Sequence, residues 1–262
     1  MTIDEALRSG NVRTGDNGLM VGVVAAPAPG ESSAGAGADR GLDRLAAAVP
    51  RALVPRLGRA ACYFVPWLLK QKRTVVVGLE PPPEGETRKE LCHHLDVKPT
   101  GNLLLISLKF YEHDSYGLAM EFFDKIAYLA ALNPTGAEGD DDFDARLRSD
   151  AEKSKPGELT PEAWEWRTAL NEAGANRTAA AWRNYRRAAE TDALGLYMAS
   201  LFTDVFYEDL FEPNPEYPAL DPELLYERIR VLERLYPPNR GFSLQMVRQR
   251  PRRRRTSGGG KS

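Results

Sequence analysis

A chain of 262 residues with 42% hydrophobic content has the material for a packed core, which excludes global disorder and fits one large or two small domains. The formal net charge of −2 hides an uneven layout, because the last fifteen residues hold seven basic side chains and no acid, leaving 28 basic against 37 acidic residues before them. Two cysteines, Cys62 and Cys92, are too few for a disulfide framework, and the opening Met-Thr-Ile-Asp-Glu lacks the pattern of a signal peptide, so an intracellular setting is expected.

Residues 1–41 are rich in glycine, alanine and small polar residues and read as a disordered arm with one short strand at 19–25. Residues 42–54 show helical periodicity cut short by Pro50 and Pro55. The apolar run 60–69, bounded by Arg59 and Lys70, is far below the roughly 20 residues that span a bilayer. It reads as a buried helix or strand, and no transmembrane segment is expected. Residues 74–79 form a β-branched strand stopped by Pro81, Pro82 and Pro83. Residues 84–95 look helical, with Leu91 and Leu95 on one face. This connection is long enough for a crossover, so the strands on either side can be parallel, although an antiparallel pair stays open.

The clearest change of apolar period lies between 102 and 133. Leu104, Ile106, Leu108 and Phe110 alternate along a strand whose start is apolar on both faces, which predicts a central strand reaching solvent near Lys109. Asp114 or Ser115 can cap the helix that follows, Leu118, Phe122, Ile126 and Leu129 give it an apolar face, and Pro134 closes it. Residues 134–159 are glycine-rich and acidic and read as a solvated linker. Thr160-Pro161-Glu162 is a strong helix start, and residues 176–211 continue helical with an interruption near Thr191, Asp192 and Gly195. Asp221-Pro222-Glu223 starts another helix, with Leu225, Ile229, Leu232 and Tyr236 as its stripe.

The expected fold class is α+β: a small mixed sheet packed by helices, then a C-terminal helical bundle and a disordered basic tail. The expected organisation is an arm (1–41), a small α/β domain (42–133), an acidic linker (134–159), a bundle (160–240) and the tail (241–262).

Two chemistries compete. All three histidines, His93, His94 and His113, fall within twenty-one residues, with Cys92, Asp96, Glu112 and Asp114 nearby. Imidazole, thiolate and carboxylate together suit zinc or another divalent transition metal, so His93, His94, His113 and Asp114 are the candidate ligands of a metal-dependent hydrolase. If 84–95 is helical, neighbouring residues point about 100° apart, and Cys92 with Asp96, or His94 with His113, is the more feasible subset. No Cys-x-x-Cys, His-Glu-x-x-His or Gly-x-Ser-x-Gly supports an enzyme.

The stronger signal is the tail. Arg248, Arg250, Arg252, Arg253, Arg254 and Arg255 form a dense positive run that attracts phosphates by counterion release without reading sequence, or engages a nuclear-import receptor. The favoured reading is a non-enzymatic interaction or assembly protein that binds nucleic acid through this tail and has protein partners, with a nuclear location if the host is eukaryotic. A short Tyr217-Pro218-Ala219-Leu220 segment also fits a motif that recruits membrane-scission adaptors. No feature fixes the oligomeric state.

Overall fold

The computed structural model describes residues 8, 11–24, 35–81, 89–133, 140–152, 157–173, 178–211 and 216–247. The fold is α+β. Two strands, β3 (Ala60–Val65) and β8 (Gly101–Ser107), lie at the heart of a five-stranded sheet completed by β1 (Asn11–Thr14), β2 (Met20–Val23) and β7 (His93–Lys98) in the order β1-β2-β3-β8-β7. The inner strands β2, β3 and β8 are parallel, and β1 and β7 run antiparallel at the edges. Both central strands are apolar on both faces because both faces are covered. Cys62, Phe64, Leu104 and Ile106 face the helices, while Tyr63, Val65 and Leu105 face a second sheet.

That second sheet, in the order β5-β4-β6, consists of β4 (Trp67–Gln71), β5 (Thr74–Gly78) and β6 (Lys89–Glu90), and its Leu68 and Val77 close the smaller core. Pro66, which has no amide hydrogen for a ladder, sits between β3 and β4 where the chain passes from one sheet to the other.

On the other face lie α1 (Gly35–Ala47), α2 (Ser115–Leu132), α3 (Asp140–Glu152), α4 (Pro161–Glu172), α5 (Ala179–Phe202) and α6 (Pro222–Leu235). Side-chain oxygens cap four of them by accepting a first-turn amide: Asp114 from Gly117, Thr160 from Ala163, Thr178 from Ala181 and Asp221 from Glu223. The main core is continuous from Leu104 on the sheet through Phe122 on α2 and Leu194 on α5 to Ile229 on α6. A buried Arg56 ties the strand-rich part to the helices, donating to Glu190 Oε1 and to the Tyr236 hydroxyl, each at 2.6 Å. Among the described residues, no helix is long and apolar enough to cross a membrane.

Several expectations change. The short strand expected within the arm is β2 (20–23), but residues 11–14 add a second strand, β1, and Leu19 and Val21 are buried in the core, so this part of the arm belongs to the sheet. The predicted helix over 84–95 is not formed in its described part, which is β6 and the start of β7; residues 82–88 lie outside the described residues. The reason is non-local: β7 pairs antiparallel with β8 across the turn at Pro99 and Thr100, where Gly101 takes φ 155. Strand β5 does not join β8 by a crossover. The turn at Lys72 and Arg73 folds it back on β4 instead.

The acidic stretch is also not a solvated linker where it is described. Residues 140–152 are α3, with Phe143 and Leu147 buried four residues apart, and Asp150 fully buried. The interruption expected near Asp192 is absent too, and α5 is continuous over 24 residues. Gly195 there lies against α2, where a side-chain carbon would be in contact with Asp124 Cα at 3.4 Å.

Candidate functional site

The alternation of β7 separates the two neighbouring histidines. His93 lies opposite Ile106 and faces the helices; His94 lies opposite Leu105 and faces the second sheet. Above His93, α2 presents Glu121, whose Oε1 is 2.5 Å from His93 Nδ1. The same Nδ1 is 3.3 Å from Cys92 Sγ. One ligand atom from each of Cys92, His93 and Glu121 lies within 4.8 Å of the others, and among the described residues no other three His, Cys, Asp or Glu side chains converge so.

Two further side chains complete the cluster. Tyr111, at the end of the 3₁₀ turn Lys109–Tyr111, stands beside Glu121 and Cys92, and burial together with these neighbours pushes its hydroxyl up. Lys125, one turn along α2, is 3.7 Å from Glu121 Oε1 and 2.6 Å from Asp124 Oδ2. The site is half-buried, with His93 31% and Glu121 20% exposed. Burial pushes the Glu121 carboxyl up, but His93, Lys125 and the Tyr111 hydroxyl together hold it below the usual carboxylate range. Glu121 Oε1 is nevertheless shut off from solvent and receives no well-directed hydrogen bond, despite its short contact with the imidazole.

Of the four predicted metal ligands, His93 alone joins this set. Burial draws His94 below the usual imidazole range, against the opposing charge of Asp96. His113 is 93% exposed beside Glu112, which Lys109 already engages. Asp114 caps α2. Asp96 pairs with Lys98 at 2.5 Å and not with Cys92. Local sequence does not mark Glu121, because its approach to β7 depends on how α2 lies across the sheet. The local signal was only a Glu and a Lys four apart on the polar side of an amphipathic helix.

Two other polar features are built into the helical layer. Arg228, fully buried on α6, donates to Asp150 Oδ2 at 2.9 Å and to Glu158 Oε2 at 2.7 Å. Glu158 Oε1 also accepts from Arg167 at 3.0 Å and from the Tyr185 hydroxyl at 2.7 Å. Arg146 also pairs with Asp150 and with Glu227, so three guanidinium groups face three carboxylates, which fastens α3, α4, α5 and α6 to the segment around Glu158. Beside Tyr111 lies an apolar cavity of about 440 Å³ lined by Leu42, Leu45, Leu108, Leu118 and Phe202.

The arginines of the tail, Arg248 to Arg255, lie outside the described residues. The last described strand, β10 (Met246–Val247), pairs in parallel with β9 (Val205–Phe206). The short Tyr217 motif is not presented for an adaptor: Leu220 is fully buried, and the Tyr217 hydroxyl donates to the Leu159 carbonyl at 3.0 Å. Comparison with protein families, with curated proteins and with solved structures finds no match for this chain.

Proposed function

We propose that the protein is a non-enzymatic interaction or assembly factor that binds nucleic acid through its C-terminal arginines. The carrying observation is the run itself: six arginines within eight residues, with no acid after residue 247. Such a run neutralises phosphates by counterion release and reads no base sequence. The rest of the chain supports this division of labour, since residues 1–247 carry more acidic than basic residues and would repel a polyanion elsewhere. Pairing of β10 with β9 also gives the run a fixed point of departure from the body.

Two acids of α3 are already engaged within the body and do not compete with phosphate for the arginines. Asp150 is held by Arg228, and Asp144 accepts from Trp182 Nε1 at 2.7 Å and from Arg148 at 2.7 Å. The test compares the full chain with one ending at residue 247 in an electrophoretic mobility assay, using single- and double-stranded oligonucleotides of mixed sequence. The full chain is expected to shift both with no sequence preference, and the shortened chain neither. Equal shifts by the two chains, or binding confined to an import receptor, would overturn the proposal.

A further inference from the structure

We propose that Cys92, His93 and Glu121 form a binding site for a divalent transition-metal ion, zinc being the best match. This site is independent of the tail. Its basis is a convergence of ligand atoms: one imidazole nitrogen lies 3.3 Å from the Cys92 sulfur and 2.5 Å from a Glu121 carboxylate oxygen, three atoms of the kinds that bind such an ion. Glu121 Oε1 is screened from water without a well-directed hydrogen bond. A cation placed between the three atoms satisfies all of them.

The donor set chooses the ion. Sulfur, nitrogen and oxygen together suit a borderline-soft metal, whereas magnesium and calcium take oxygen alone and copper(I) prefers sulfur. Tetrahedral zinc at ordinary bond lengths sets neighbouring ligand atoms roughly 3.3 to 3.8 Å apart. The Cys92 to His93 separation of 3.3 Å already fits, and the His93 to Glu121 separation of 2.5 Å must open, which needs a small rotation of Glu121 on the surface of α2.

Charge closes as well. A thiolate and a carboxylate neutralise a dication, one proton leaving Cys92 Sγ for solvent as the metal–sulfur bond forms. Lys125 is balanced by Asp124, to which it donates at 2.6 Å. Three protein ligands leave a fourth position open.

The experiment titrates cobalt(II) into the untagged full chain, with zinc(II) as competitor. The expected result is one ion per chain, with a thiolate-to-cobalt charge-transfer absorption that zinc abolishes. Cys92→Ser should remove the absorption, and His93→Ala and Glu121→Gln should each weaken binding by about tenfold or more. Cys62→Ala and His113→Ala should change nothing, because Cys62 is buried with its thiol pushed up to about 12 and His113 stands apart from the cluster. Should the Cys92 variant fail to fold, zinc must still slow alkylation of Cys92 in the wild-type chain. Less than one ion per folded chain, absorption that survives Cys92→Ser, or alkylation indifferent to zinc would each overturn the proposal.

Discussion

Asp192 carries a charge problem in the middle of α5. Its carboxylate accepts from the Thr160 hydroxyl at 2.7 Å and lines a small cavity of about 170 Å³ between α2 and α5. Burial pushes its carboxyl up to about 8, the charges of Glu158 and Asp124 add to this, and the Thr160 hydrogen bond and Arg228 oppose it. The folded chain therefore holds this proton through a range in which the unfolded chain has lost it. Stability from the group is full below the ordinary aspartate value of about 3.9 and is lost as pH rises toward the folded value. Asp192→Asn keeps an acceptor for Thr160 and removes the titration, so its advantage over the wild type should grow from pH 5 to pH 8 in thermal melts. Parallel curves would contradict the assignment. Gly157 makes a second residue-scale prediction. It takes φ 138, and a side-chain carbon there would lie 2.1 Å from the Ala219 carbonyl oxygen, inside the bridge that Glu158 makes with Ala219. Gly157→Ala should lower stability by more than about 2 kcal/mol in urea unfolding, through strain and displacement of Glu158.

At the level of elements, α6 is tied to its neighbours by buried charge. Its Arg228 is buried against Asp150 of α3 and Glu158, so Arg228→Met leaves two carboxylates without their main counter-charge. Loss of one partner from a buried pair costs about 3–5 kcal/mol, and urea unfolding of this variant should show a loss of that size. Burial pushes the Glu158 carboxyl up, but Arg228, Tyr185 and Arg167 prevail and hold it below its usual range. Its contribution is thus present above about pH 4.3 and is lost as pH falls below that, so the variant should show a shallower acid transition than the wild type. Elements set by neighbours in sequence were legible before the structure: Asp114, Thr160 and Asp221 cap the helices they were expected to cap, and Thr74 to Gly78 is a strand. Elements set by distant partners were not. The hairpin of β7 and β8 replaced a helix because the pairing of His93 with Ile106 is invisible to local periodicity. The acids of α3 looked like a solvated run because their partners, Arg228 and Trp182, lie far along the chain. Phe143 and Leu147, four apart within that run, were the available clue.

For the whole molecule, the sequence made the α+β class legible and left the joining of its parts hidden. Arg56 bonding to Glu190 and Tyr236, residues well over a hundred positions away, and a core shared by sheet and helices are products of tertiary contact. The candidate site follows the same rule. His93 was named from composition, whereas Glu121 came only with the crossing of α2 over β7. Charge is the molecule-scale property that remains closest to the sequence, with an acidic body and a basic end. The salt dependence of nucleic-acid affinity measures its role most directly. With six arginines on phosphates, the slope of log affinity against log salt should be about −4 for single strands and about −5 for duplex, and both should collapse toward zero when the chain ends at residue 247. An affinity indifferent to salt, or a slope that survives the truncation, would contradict the tail as the nucleic-acid-binding element.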